Sequence, residues 1–123
     1  TGGTITGISH NIKDFFPNIK VIAVDVEGSQ VFSNIKVKRT LSGIGASKKS
    51  TFIESKANID EVLIFSEEEI KEGYKKLNIE NGVFAGISSG ATYCAAMEIK
   101  KRFHEKAPSI LLICPDKSTP YIQ

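Results

Sequence analysis

Two apolar patterns alternate along the chain. Ile5, Ile8, Ile12, Phe15 and Phe16 recur at the spacing of one helix face and Pro17 closes the run, which predicts an amphipathic helix of about three turns from Thr4. Lys20 is followed by Val21-Ile22-Ala23-Val24, a short unbroken apolar run of the kind that fills a strand buried on both faces of a parallel sheet. Val62-Leu63-Ile64-Phe65 and Ile110-Leu111-Leu112-Ile113 have the same form and predict two more buried strands. Ser66 opens Ser-Glu-Glu-Glu, a capping box with Glu69, and Ile70, Tyr74 and Leu77 supply the apolar stripe of a helix that Asn81-Gly82 ends. Val83-Phe84-Ala85 is a short extended piece leading into Gly86-Ile87-Ser88-Ser89-Gly90. The helix that follows sets Ala91, Ala95, Ile99 and Phe103 on one side, and its small first residues permit close approach of another backbone or a flat ligand. Helix and strand alternate, so the expected class is α/β: a three-layer αβα arrangement with a mostly parallel open sheet, forming one domain over 1–123.

Composition narrows the function classes. A hydrophobic content of 41% with 24% charged residues describes a globular chain rather than a disordered one. The formal charge is only +2 with Lys and Glu interleaved, so the electrostatic footprint of a nucleic-acid binder is missing. No apolar run approaches the roughly 20 residues of a membrane span, and the charged-then-apolar layout of a signal peptide is not seen. The expected compartment is the cytoplasm. Cys94 and Cys114 fall on a predicted helix and a predicted strand without CxxC spacing, which predicts buried free thiols. His10 and His104 are isolated, and no metal site is expected.

The chemistry is concentrated in the turns. Thr1-Gly2-Gly3-Thr4 delivers the first helix, whose opening N–H groups have no partner within the helix and lie where the peptide dipoles converge. Such a turn suits a phosphate, with the hydroxyls of Thr1 and Thr4 as further donors; the alternative is an ordinary glycine turn with a threonine N-cap. Gly86-Ile87-Ser88-Ser89-Gly90 opens a second helix in the same manner, and its serines either cap that helix or reach a polar atom of a ligand. Between Asp25 and Asp60 lies a segment of little periodicity, too long for an idle connection. It holds Gly28-Ser29, the basic residues Lys36, Lys38 and Arg39, the turn Ser42-Gly43-Ile44-Gly45-Ala46, and Lys48-Lys49. Its basic residues read as solvated surface and its turns as functional. Pro115-Asp116 follows the last predicted strand. Ligands gather at the carboxyl ends of parallel strands, so these turns are expected to serve one ligand. No Ser/His/Asp set and no obviously placed general base accompanies them.

Taken together, Thr1-Gly2-Gly3-Thr4-Ile5-Thr6-Gly7, Gly43-Ile44-Gly45-Ala46, Ile59-Asp60-Glu61-Val62 and Gly86-Ile87-Ser88-Ser89-Gly90-Ala91 resemble, in order and approximate spacing, cysteine synthase and cystathionine β-synthase, the fold-type-II pyridoxal-phosphate enzymes. The resemblance covers nearly the whole chain. It implies the carboxyl-terminal, cofactor-binding portion of a longer enzyme, a cytoplasmic homodimer acting on a small amino acid. It also implies that Thr1, Gly2, Gly3 and Thr4 form the phosphate cup of pyridoxal phosphate, that Ser88 meets the pyridine nitrogen, and that Pro115 and Asp116 stand near the pyridine end. Gly43, Ile44, Gly45 and Ala46 match the turn on the substrate side. The family's Schiff-base lysine and its Ser/Thr-Gly-Asn loop belong to the amino-terminal part, so no catalytic residue is assigned within these 123 residues, and Lys48 and Lys49 do not match that lysine.

The activity implied is β-replacement on an activated serine, O-acetylserine or O-phosphoserine, with sulfide as the leading nucleophile. A hydroxyl partner, unlike a carboxylate, leaves the ring nitrogen largely unprotonated and moderates the electron sink, which suits this transferase or lyase chemistry. Ser47-Lys48-Lys49-Ser50 replaces the usual Gly-aromatic-Ile-Pro after the Gly43 turn. With Ala23-Val24-Asp25-Val26-Glu27-Gly28-Ser29 and Gly82-Val83-Phe84-Ala85-Gly86, it also resembles the branch that joins an amino-acid nucleophile to phosphoserine in diaminopropionate synthesis for siderophores. An expectation from a different class is a non-catalytic α/β module that binds a phosphorylated metabolite.

Overall fold

The computed structural model describes residues 2–106 and 108–118, with backbone alone for Ser55 and Lys56. Their order is α1 (Gly3–Phe15), β1 (Ile22–Val26), α2 (Thr51–Lys56), β2 (Glu61–Phe65), α3 (Glu67–Lys75), a π-helical turn at Lys76–Glu80, and α4 (Ile87–Lys101). They fall into two units, one drawn from residues up to 38 and from 45 to 64, the other from 39 to 44 and from 65 onward.

In the first unit, α1 starts at Gly2 and leaves helical geometry at Phe16, one residue before Pro17, whose ring disfavours a helical conformation in the residue ahead of it. Its buried face is not the apolar stripe. Thr6 and Ser9 are buried, while Phe15 and Phe16 are 78% and 62% exposed. The reason is a close backbone approach that only short side chains allow: Ser9 Oγ donates to Thr6 O (3.1 Å) and accepts the Asn58 N–H (3.0 Å). β1 and β2 pair as a two-stranded sheet. The Asp60 N–H donates to Val21 O (2.9 Å), and the Val21 N–H donates to Asp60 Oδ2 (2.8 Å). Val21 and Asp60 each immediately precede a strand, so the two strands start side by side and run parallel. The same carboxylate takes Lys13 Nζ at 2.7 Å, and Lys13 also donates to Asn58 Oδ1 (2.9 Å), which ties α1 to the start of the sheet. β1 is buried at Ala23, Asp25 and Val26. β2 corrects the expectation of a strand covered on both faces, because Val62 and Ile64 are exposed; a two-stranded pair covers little of its own surface.

In the second unit, the capping box forms as its sequence requires: Ser66 Oγ accepts the Glu69 N–H, and Glu69 Oε2 accepts the Ser66 N–H (2.8 Å). Glu69 Oε2 also accepts the Ser66 hydroxyl (2.8 Å), and the Ser66 N–H first, then this hydroxyl, hold the Glu69 carboxyl below the usual carboxylate range. Ile70 and Leu77 are buried as expected, against a face of α4 that includes buried Ala91 and Ala95. α3 and α4 meet backbone to backbone. A Cβ on Gly90 would stand 2.6 Å from Tyr74 N and 2.7 Å from Tyr74 Cα, and one on Gly73 would stand 2.6 Å from Gly90 O. Cys94 lies half-buried beside this contact, its Sγ donating to Glu69 O (3.2 Å), and burial first, then the Glu69 charge, pushes its thiol up.

Three expectations fail in this unit. Cys114 is exposed rather than buried, and Phe103 lies 51% exposed at the end of α4. Ile110–Ile113 forms no strand, with Leu111 77% exposed. Strand hydrogen bonds need a neighbour, and among the described residues the β1–β2 pair is the sheet; outside it, one antiparallel bridge joins Ala85 and Lys117.

Gly90→Ala is expected to destabilise the protein by about 1–3 kcal/mol through overpacking against main-chain atoms that cannot rotate away, as measured by the denaturant midpoint. The same change at Gly3, where a Cβ would meet nothing, should leave that midpoint nearly unmoved.

Asp60 gives a pH dependence with a definite sign. The Lys13 hydrogen bond first, and then the Val21 N–H, lower its carboxyl from 3.8 to about 2. A folded value below the unfolded one adds stability that is fully present above the unfolded value and is lost as pH falls from about 4 toward about 2. Asp60→Asn should therefore reduce stability at neutral pH and flatten its decline across that window, as followed by unfolding curves at a series of pH values.

Candidate functional site

The turn that opens α1 is shaped by Gly2, which adopts φ 81°, the left-handed region that favours glycine. A Cβ there would stand 2.6 Å from Ile53 side-chain carbons and 3.0 Å from Ser50 Oγ, so the turn is seated on the start of α2. α2 itself lies in the segment read as aperiodic. Ser50 caps it by accepting the Ile53 N–H (3.4 Å), a serine cap whose following apolar pattern is too short to signal a helix. Gly2 is the N-cap of α1 and Thr4 lies inside the helix, so Thr4 does not take the cap position. The first hydrogen bond returning to the turn is Thr6 N–H to Gly2 O (3.0 Å), so the opening N–H groups of Gly3, Thr4 and Ile5 precede the helical ladder. Gly3 and Thr4 are exposed. Thr1 lies outside the described residues.

The long loop is stapled by a residue whose role the sequence did not signal. Ser29, buried, accepts the Ala46 N–H on its Oγ (3.1 Å), while the Gln30 N–H donates to Ala46 O (2.8 Å). Gly28 at φ 79° precedes it, with no room for a Cβ beside Val37 O (2.7 Å). Residues 29 and 46 are therefore pinned together within the first unit. Gly43 and Gly45 both take positive φ, at 83° and 75°. Arg39 is not solvated surface as expected: it is half-buried and its Nη1 donates to Ile44 O (2.9 Å). Lys36 and Lys38 are exposed as read.

Glu67 is the second residue that sequence reasoning undervalued. As part of an acidic first turn it serves the α3 dipole, but its carboxylate also accepts the N–H and hydroxyl of Thr40 and the N–H of Leu41 (2.9 Å). The Thr40 hydroxyl first, and then the Leu41 N–H, lower its carboxyl. Residues 39–44, which carry Gly43 and Ile44, are thus fastened to the start of α3.

The start of α4 carries the third cluster. Gly86 is the N-cap, no side chain caps the helix, and Ser88 sits inside the first turn, so the capping role weighed for the serines is not the one they take. Ser88, half-buried, donates from Oγ to Asp116 Oδ1 (3.2 Å). The Gly86 N–H donates to Asp116 O (2.9 Å), and a Cβ on Gly86 would collide with the Asp116 carboxylate. The neighbouring Ala85–Lys117 bridge holds the two segments in register. Pro115 is exposed next to Asp116. Ser89 is fully buried, and its Oγ has no hydrogen-bond partner among the described residues. No group of three His, Cys, Asp or Glu that could hold a metal occurs among those residues, and no described helix is long and apolar enough to cross a membrane.

The whole pattern has known counterparts. A family model described as pyridoxal-phosphate dependent enzyme matches residues 1–116. An O-acetylserine dependent cystathionine β-synthase from Helicobacter pylori is similar in structure, with TM-score 0.85 and 33% identity over 98% of this chain and 39% of that one. A hydrogen sulfide-producing enzyme from Fusobacterium nucleatum matches with TM-score 0.84 and 27% identity over 98% of this chain and 41% of that one. O-acetyl serine sulfhydrylase isoform 3 from Entamoeba histolytica matches with TM-score 0.81 and 25% identity over 98% and 36%. The chain therefore spans about two fifths of the length of these relatives. With a parallel α/β fold shared across almost its full length and a family match over residues 1–116, this chain belongs to the pyridoxal-phosphate dependent enzymes.

Proposed function

We propose that this chain is the cofactor-binding, carboxyl-terminal portion of a longer, homodimeric enzyme of the cytoplasm that replaces the β-substituent of an activated serine. Each unit carries residues suited to one polar end of the cofactor. At α1, the left-handed Gly2 presses the turn against Ile53, where a Cβ would collide, and leaves Gly3 open where a Cβ would meet nothing. That is a bare backbone surface with N–H groups ahead of the helical ladder, suited to phosphate oxygens, and Thr1 and Thr4 add hydroxyl donors. At α4, Ser88 offers a half-buried hydroxyl to the ring nitrogen, with Pro115 and Asp116 beside it. Gly43 and Ile44, held by Glu67 through residues 40–41 in the second unit, and Gly45 and Ala46, held through Ser29 in the first, are assigned to the amino-acid substrate. The cofactor, when bound, supplies an electron sink that eases proton loss at Cα and departure of the group on Cβ. The work of these residues is to bind, to orient and to keep backbone donors directed at the phosphate. The Schiff-base lysine is assigned to the part of the protein outside these residues.

One observation carries this proposal: α1 opens at Gly2, an N-cap residue with no side-chain cap hydrogen bond, which leaves the first-turn N–H groups suited to a phosphate. The names of the similar enzymes support O-acetylserine as the activated substrate and sulfide as the nucleophile. Lys48 and Lys49, exposed directly after the Gly43–Ala46 turn, favour a second reading in which O-phosphoserine is used and an amino-acid nucleophile adds, giving diaminopropionate chemistry. The test is the cofactor absorbance of the complete protein during titration with O-acetylserine and, separately, O-phosphoserine, with assay of released acetate or phosphate. A spectral change with release from one of the two is expected. Tight cofactor binding with no response to either would leave a non-catalytic binding module instead.

Ser88→Ala removes the neutral hydrogen bond proposed to the ring nitrogen, worth about 0.5–1.5 kcal/mol, together with the bond from Ser88 Oγ to Asp116 Oδ1. In the complete enzyme it should weaken cofactor affinity roughly two- to twelvefold while the fold stays intact. Unchanged affinity together with an unchanged cofactor spectrum would remove Ser88 from the site.

A further inference from the structure

Glu67 commits its carboxylate to a loop rather than to its own helix. The start of α3 is already capped by Ser66 and Glu69, each accepting the other's N–H, so the helix does not call on Glu67 for a cap. Glu67 is half-buried, and its two oxygens hold the loop at adjoining residues. Oε1 accepts the N–H groups of Thr40 (2.5 Å) and Leu41 (2.9 Å), and Oε2 accepts the Thr40 hydroxyl. Arg39, the residue before, donates from Nη1 to Ile44 O (2.9 Å), which closes residues 39–44 on themselves across Gly43 at φ 83°. All of these residues belong to the second unit. Neither fastening uses the main chain of Gly43, which is exposed.

We propose that Glu67 is a positioning residue for the amino-acid substrate: it holds the Gly43–Ile44 turn in a preformed shape, and through that turn it sets the affinity for the activated serine without setting the affinity for the cofactor. The inference rests on the assignment of Gly43 and Ile44 to the substrate side. An untied loop of this length samples many conformations, and a ligand that selects one of them binds more weakly by the free energy of ordering it. Three hydrogen bonds to a carboxylate, stronger than bonds to a neutral acceptor, order the loop before the substrate arrives. The geometry can survive without the charge. Both backbone donors converge on Oε1, so a glutamine with its amide oxygen in that place keeps both bonds, and its NH2 in the place of Oε2 donates to Thr40 Oγ1 instead of accepting from it. Alanine at position 67 keeps none of the three.

The experiment is steady-state kinetics of the complete protein loaded with pyridoxal phosphate, on O-acetylserine or O-phosphoserine, whichever of the two it consumes, beside a spectral titration of cofactor affinity. Glu67→Ala is expected to raise KM for that serine about ten- to a hundredfold, the scale on which a displaced positioning element acts, with cofactor affinity unmoved. Glu67→Gln should bring KM back close to the wild-type value. Glu68→Ala removes a charge from the same first turn of α3, at an exposed residue with no bond to the loop, and should leave KM at the wild-type value. Arg39→Ala opens the turn at Ile44, should raise KM as Glu67→Ala does, and serves if Glu67→Ala does not fold. A wild-type KM in both Glu67→Ala and Arg39→Ala overturns the proposal. So does a cofactor affinity that falls in step with the rise in KM, an equal rise in Glu68→Ala, or a Glu67→Gln protein as impaired as Glu67→Ala. A wild type that consumes neither serine overturns the reading of the substrate side, and this proposal with it.

Discussion

The second unit depends on a main-chain contact that only two glycines permit. Gly90 lies so close to Tyr74 that its missing Cβ is the space the neighbouring backbone occupies, and Gly73 reciprocates toward Gly90 O. Dispersion and burial at this crossing hold α4 on α3, with Ile70 and Ala91 completely buried around it. The first turn of α4 precedes Gly90 immediately, so the same contact positions Ser88. A third glycine, Gly86, then admits the Asp116 carboxylate. Packing and site are one arrangement here: the residues that let the helices touch are sequence neighbours of those that present the hydroxyl.

The first unit is held by polar links instead. Its buried apolar set is small, led by Ala23 and Val26, and the connections that matter are Ser9 to Asn58, Asp60 to Val21 and Lys13, and Ser29 to Ala46. Several of these bonds are charge-assisted or satisfy backbone groups that would otherwise lack partners, which makes them directional where apolar packing is not. The result is a glycine turn on α1 seated against α2, with its opening N–H groups left ahead of the helical ladder.

Elements governed by local rules were legible in the sequence. The capping box at Ser66 and Glu69, the Pro17 stop, the Ile70–Leu77 stripe and the small-residue start of α4 all rest on spacings of three or four residues, and all are realised. Features decided by partners distant in sequence were not. The exposed Phe15 and Phe16, the Ile110–Ile113 run that forms no strand and the exposed Cys114 depend on which surfaces lie opposite, and no periodicity encodes that. The candidate site divides in the same way. Its glycine and serine motifs could be read directly, whereas Glu67 at Thr40, Ser29 at Ala46 and Asp116 at Ser88 are separated in sequence by 27, 17 and 28 residues, and single residues at such distances leave no pattern.

We propose that the Gly2–Thr4 turn and the first turn of α4 each receive one polar end of the cofactor. A crystal structure of the complete protein with pyridoxal phosphate measures this directly. The account predicts phosphate oxygens within hydrogen-bond distance of the N–H groups of Gly3 and Thr4, and the ring nitrogen against Ser88 Oγ. A phosphate bound away from the Gly2–Thr4 turn, or a ring nitrogen facing a residue other than Ser88, would contradict it.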